Sequence, residues 1–410
     1  MKIIWCPLLV LLVLLSGCST NIQTSSSSTY TVSYSTSSTG AGAASSTTKT
    51  LSTDHLIDGE SVTYTDQTFT TTGENTTAFL VVNGGSLTLN NCTIVKSGDG
   101  GTGDDYNFYG LNSAVVVAES GSTCTLNGCT ITTEGTGANA VFATSKAAVT
   151  ITNGITITTN SGSSRGLYAT YDGTITAAAG GVSITTYNDH CAALATDRGG
   201  GTVTVGGTGN TLTTYGDGSP SVYSTDTITL SGATCSSDIA QGVVVEGLNT
   251  VTLNTCSFTA LKAQGHGSVA ARTNTSGDLG AIMLYQSTSG DSSSGQSTLT
   301  MKNCSFDYCG SETGVIVETN TTGVINASGS TFTKDGSALS TSDCMVYLGS
   351  YSKWSSNGGT LTYNGSGSSY DQLAGTVYAV SGGTATINCA AGSTITKASS
   401  NAGNVTITTY

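Results

Sequence analysis

Apolar and polar residues alternate in short runs along this chain, and the runs return at a nearly constant interval. Each unit reads apolar-Thr-apolar, then Asn or Gly, then Cys, Gly or Thr, then apolar again. It appears as Leu87-Thr88-Leu89 with Asn91-Cys92-Thr93-Ile94, and as Cys124-Thr125-Leu126 with Asn127-Gly128-Cys129-Thr130-Ile131. Further copies begin at Val149, Ile175, Val203, Ile228, Val251, Leu299, Leu361, Ala385 and Val405. From residue 124 to 251 the intervals are 25, 26, 28, 25 and 23. Alternation of period two predicts strands with one buried face. A long repeat period predicts a stack of β coils in place of a globular domain.

Each unit has room for three short strands and three turns. The apolar-Thr-apolar triplet is the first strand. A turn follows at Asn90-Asn91, Asn127-Gly128, Asn153-Gly154, Asn254 or Asn303, residue types that tolerate positive φ. The second strand reads as in Thr156-Ile157-Thr158-Thr159, and after a Gly-rich loop the third reads as in Gly166-Leu167-Tyr168-Ala169-Thr170. Coils about 4.8 Å apart give some thirteen coils a length of roughly 60 Å.

Aligned third strands predict columns. Thr144, Thr170, Thr196, Thr225 and Glu246 form a polar column that is expected to face water. Alternation then sends Phe142, Tyr168, Leu194, Tyr223 and Val244 outward as well. Exposed rings in a line suit stacking against sugars. Asp172, Asp197, Asp226 and Glu246 follow, one per coil, as acceptors for sugar hydroxyls or as carboxylates bridged by calcium. Two intervals break the period. The gap of 37 from Leu87 to Cys124 holds Asp99, Asp104 and Asp105 beside Tyr106, Phe108 and Tyr109, a candidate calcium or sugar loop. The gap of 48 from Val251 to Leu299 holds Gln264-Gly265-His266-Gly267 and residues 272–278.

Composition narrows the partners. Only 9% of residues are charged, with 25 carboxylates against 12 Lys and Arg. Without a basic patch, nucleic acid is not an expected partner. There are 54 Gly and 2 Pro, which suits many tight turns in an unbroken sheet. Of the 12 Cys, Cys92, Cys129, Cys256 and Cys304 share one repeat position, expected to point inward as small core residues. Disulfides are permitted outside the cell, but the spacing names no pairs.

The front of the chain reads as a leader. Lys2 precedes an apolar run from Leu8 to Leu15, too short to span a bilayer alone. Leu15-Ser16-Gly17-Cys18 resembles the bacterial lipobox, which implies an acylated Cys18 after removal of residues 1–17. Ser19 in the next position favours the outer membrane in a cell with two membranes. Residues 18–53, rich in Ser and Thr, are expected to be a flexible tether, with the folded part at 54–410.

The Asn turns and the Asn-Cys-Thr-Ile phrase resemble the right-handed parallel β-helix of pectate-lyase-like and adhesin-like surface proteins. The resemblance covers about residues 55 to 410 and implies an all-β solenoid. Within that family, low-charge, Ser/Thr/Gly-rich lipoproteins look most like the adhesin-like or polysaccharide-binding members. The expected function is therefore that of a lipid-anchored, adhesin-like module facing outward. Its partner would be an extracellular polysaccharide or a host or neighbour cell surface. A polysaccharide lyase or hydrolase and a structural surface-layer protein are the alternatives. Arg165 and Arg198 are the only basic residues in the region of the acidic column, and no catalytic set can be assigned from the sequence. Regular Thr ladders such as Thr130/Thr132, Thr156/Thr158 and Thr211/Thr213 also resemble ice-binding surfaces, but coil length varies here and Thr is a favoured strand residue.

Overall fold

The computed structural model describes residues 27–261, 280–309, 314–350, 357–366 and 371–410. Cys18, the leader and residues 264–278 lie outside them. The chain is a parallel β-helix. One sheet of fourteen strands runs along it, starting with β1 (Ser28–Tyr34) and β2 (Thr47–Asp58) and ending with Thr394–Lys397. From β2 onward every neighbour is the parallel strand of the next coil, which makes thirteen coils among the described residues. First and second strands form the other walls, and in Thr123–Thr133 and Ala148–Thr159 they run continuously through the corner.

The alternation in the sequence decides which side chains fill the lumen. Leu87, Cys124, Val149, Ile175, Val203, Ile228, Val251 and Leu299 stack as one inward column, each at most 1% exposed. Cys92, Cys129, Cys256 and Cys304 also lie in this core, as their repeat position predicts. The predicted corner residues take positive φ at Asn91 (50°), Asn153 (54°) and Asn303 (52°), while in the coil of Asn254 the next residue, Thr255, takes it (54°). Their neighbours link the coils: Asn127 Nδ2 donates to Asn90 Oδ1 at 3.0 Å, and Asn153 Nδ2 to Asn127 Oδ1 at 2.6 Å.

Two expectations are corrected. First, part of the predicted tether is structured. β1 pairs antiparallel with β2, and Val32, Tyr34 and Leu51 are buried. Tyr30, Val32 and Tyr34 alternate with Thr31 and Ser33, so this stretch has a face to bury although the surrounding residues do not. Second, the third-strand columns slip by one residue. Leu194 pairs with Leu167 and Val222 and faces the core, so the outward column is Phe142, Tyr168, Ala195, Tyr223 and Val244. One extra residue between Leu167 and Leu194 shifts the phase, and a shift of one exchanges the two faces of a strand.

Candidate functional site: a polar corner along the rod

The aromatic column points away from the lumen, as predicted, but it is not exposed. Phe142 and Tyr168 are 0% exposed. They share a second apolar cluster with Val32, Tyr34, Phe108 and Tyr109, so chain from β1 and from the 104–111 loop covers them. Tyr223 is half-buried. The polar column does not face water either: Thr144, Thr170, Thr225 and Glu246 are buried on the outward face, and Thr196, in register with Ala169, turns to the core. Parity within the strand was therefore legible, but a second layer over the sheet was not.

Each acidic position has its own environment. Tyr168 donates its hydroxyl to Asp197 Oδ2 at 3.0 Å, and the Arg198 amide donates to Oδ1 at 2.9 Å. Burial pushes the Asp197 carboxyl up to about 7, against the pull of Arg165. Glu246 accepts hydroxyls from Tyr223 at 2.5 Å, Tyr285 at 2.7 Å and Ser287. Asp172 and Asp226 lie at the corner between the third strand and the next first strand, and they bind the chain itself. Thr36 Oγ1 donates to Gly199 O at 2.6 Å and lies 3.1 Å from Asp172 Oδ1, Ser37 Oγ donates to Asp172 Oδ2 at 2.8 Å, and Ser38 Oγ to Asp226 Oδ2 at 2.7 Å.

These contacts belong to a strap, residues 35–46, that climbs this corner coil by coil. Beyond Asp226 it reaches the 290–293 turn, where Ala41 bridges Ser292 and Ser293 Oγ donates to Ala41 O at 2.8 Å. Gly42 is required there, because a Cβ on it would lie 1.9 Å from Gly290 O.

The aspartates of the candidate calcium loop are separated onto different partners. Asp99 Oδ1 accepts the Thr136 amide at 2.9 Å, Asp104 pairs with Arg198 at 2.9 Å, and Asp105 pairs with Lys49 at 2.5 Å. Among the described residues no group of three or more His, Cys, Asp or Glu is placed to hold a metal. Arg198 also bonds Asp291 at 2.7 Å and lies over the Phe108 ring at 3.9 Å, while Arg165 bonds Asn107 at 2.7 Å and lies over Tyr168 at 4.8 Å.

Past the end of the strap the same corner opens into a cleft of about 400 Å³. Gln286, Asn320, Thr321, Thr322, Gly359 and Thr360 line it, and none of the described residues that line it is charged. Asn320 Nδ2 donates to Gln286 O at 2.9 Å and fixes the wall. Glu318 lies behind Gly359, whose Cβ would stand 2.7 Å from its Oε1. None of these residues was singled out by sequence. The available signal was weak: polar turn residues in coils whose spacing departs from the period.

Compared with known proteins, the chain matches no family model, no curated protein and no solved structure. The strand register carries the fold assignment by itself.

Proposed function

We propose that the protein is an adhesin-like, carbohydrate-binding module on the cell surface, lipid-anchored through Cys18. In this reading its β-helix is the right-handed form found in pectate-lyase-like and adhesin-like surface proteins. The observation that carries the reading is the polar corner. Along its acidic stretch the corner holds a Ser/Thr segment through carboxylate–hydroxyl hydrogen bonds. Further along it stays open as a cleft whose described lining offers hydroxyls and amides. A neutral glycan offers the same hydroxyl chemistry as the strap, and pockets of 300–1,000 Å³ hold ligands of a few rings. The cleft thus takes over the role first assigned to Phe142, Tyr168 and Tyr223, which are not free to stack. The acidic corner is the second contact region, and calcium is not needed for either.

The test is a glycan array followed by affinity electrophoresis on the retained polysaccharide. Thr322 and Thr360 are exposed at the cleft, so Thr322→Trp and Thr360→Trp fill it from outside the core. Each is expected to reduce retardation at least tenfold while melting within a few degrees of the native protein. Retardation equal to that of the native chain would remove the cleft from the proposal. New reducing ends or ultraviolet-absorbing unsaturated products would move it to the hydrolase or lyase alternative.

A further inference from the structure

The register of the stack pairs cysteines that spacing alone could not pair. Thr93 lies beside Thr130 and Ser257 beside Ser305. Cys92 and Cys129 are therefore neighbours across one coil boundary, and Cys256 and Cys304 across another. All four are 1–2% exposed. They occupy one corner of the lumen, each directly after a residue of positive φ: Asn91, Gly128, Thr255 and Asn303. Each Sγ lies beside the carbonyl two residues back, at 3.4, 3.7, 3.4 and 3.4 Å in chain order, while Cys129 Sγ donates to Leu89 O at 3.2 Å and Cys256 Sγ also reaches Leu230 O at 3.5 Å. Adjacent coils stand about 4.8 Å apart, inside the 4.4–6.8 Å range over which a disulfide joins two Cα atoms.

Two further observations single these pairs out. Other core cysteines have no cysteine in register: Cys124 stacks between Leu87 and Val149, and Cys235 between Leu212 and Phe258. Each pair also brackets a long coil. Cys92 to Cys129 spans 129 − 92 = 37 residues and Cys256 to Cys304 spans 304 − 256 = 48, against 23 to 28 for the repeats between 124 and 251. Long excursions cost the most closure entropy, so a cross-link at their roots is most effective there.

We infer that Cys92–Cys129 and Cys256–Cys304 are two inter-coil disulfide staples, one at the root of each long coil. In the structure all four are thiols. Each staple forms when two thiols release their protons and pass two electrons to a disulfide-bearing oxidant. One S–S bond is made, and the oxidant's S–S bond is broken to give two thiols. The buried position means that the bonds form while the coils assemble and are shielded once they have.

The test uses the full chain, refolded in a buffer of oxidised and reduced glutathione, then denatured and alkylated without reduction. Peptide mass mapping is expected to show four blocked cysteines and two cross-linked peptides, 92 with 129 and 256 with 304. Reduction should lower the melting temperature of the oxidised protein, and this drop should vanish in a Cys129→Ala, Cys304→Ala double variant. If that variant does not fold, the peptide map of the native chain still decides. Full alkylation of every described cysteine after the glutathione step would overturn the inference. Cross-links scattered onto Cys124, Cys191 or Cys235 would do the same.

Discussion

Glu318 puts a carboxyl where its neighbours in the column, Leu284 and Leu348, put methyl groups. It is 0% exposed, and neither carboxyl oxygen has a full hydrogen-bond partner. Burial holds its pKa well above the ordinary range, with the amides of Thr360 and Gly323 opposing in part. The folded value lies above the unfolded one of about 4.3. Below that pH both states are protonated and the stability is complete. As pH rises the unfolded chain ionises first, and stability is lost until the folded carboxyl ionises too. Asp197 acts with the same sign, between its ordinary value and about 7. The urea midpoint is therefore expected to fall from pH 4 to pH 8, and to fall less in Glu318→Gln, which is neutral throughout. Parallel midpoint curves for the two proteins would contradict this account. Nothing in the sequence marked Glu318, because a single Glu after Val315-Ile316-Val317 reads equally well as the first turn residue.

Among the elements, the strap is the part of the fold that composition misread. Ser and Thr dominate residues 35–39 as fully as they dominate the residues before β1. What orders the strap is outside it: carboxylates at Asp172 and Asp226, and the 290–293 turn, all more than 130 residues away in sequence. No local pattern reports such partners, whereas the strands were legible because their partners repeat the same pattern. Partly buried hydrogen bonds such as these contribute about 1 kcal/mol each, so the strap is held weakly and depends on seating closely. Gly42→Ala places a methyl against Gly290 O and the Ser292 backbone. Its upper end should lift, and a protease should cut within residues 35–46 several-fold faster than in the native chain, with little change in melting temperature. Equal cutting rates would show that the close approach at Gly42 does not hold the strap.

At the scale of the molecule, the coils keep register although their lengths differ. The Thr column from Thr88 through Thr125, Thr150, Thr176, Thr204, Thr229 and Thr252 to Thr300 never slips, even across the 48-residue interval. The extra residues fall between the paired strands and leave their register unchanged, because a slip of one residue would turn each buried side chain to water. This is why the solenoid was legible from the repeat while the site was not: the repeat encodes the lumen, and the cleft and strap lie at corners that differ from coil to coil. Along the walls each coil pairs with its neighbours, and among the described residues only the strap and the 104–111 loop cross several coils, so stability is largely a sum along one dimension. Phe306 is the middle ring of a core stack, 4.7 Å from Phe258 at 3° and 6.0 Å from Phe332 at 23°. Phe306→Ala should cost about 3–5 kcal/mol, and the cost falls on one junction. Long arrays break into separate cooperative units when a junction weakens. Hydrogen exchange is therefore expected to show the amides of Thr322–Ser328 and later strands losing protection, while Val141–Thr144 through Thr227–Ser231 keep theirs. Uniform loss of protection along the whole rod would mean that the coils unfold as a single unit and that the nearest-neighbour account is wrong.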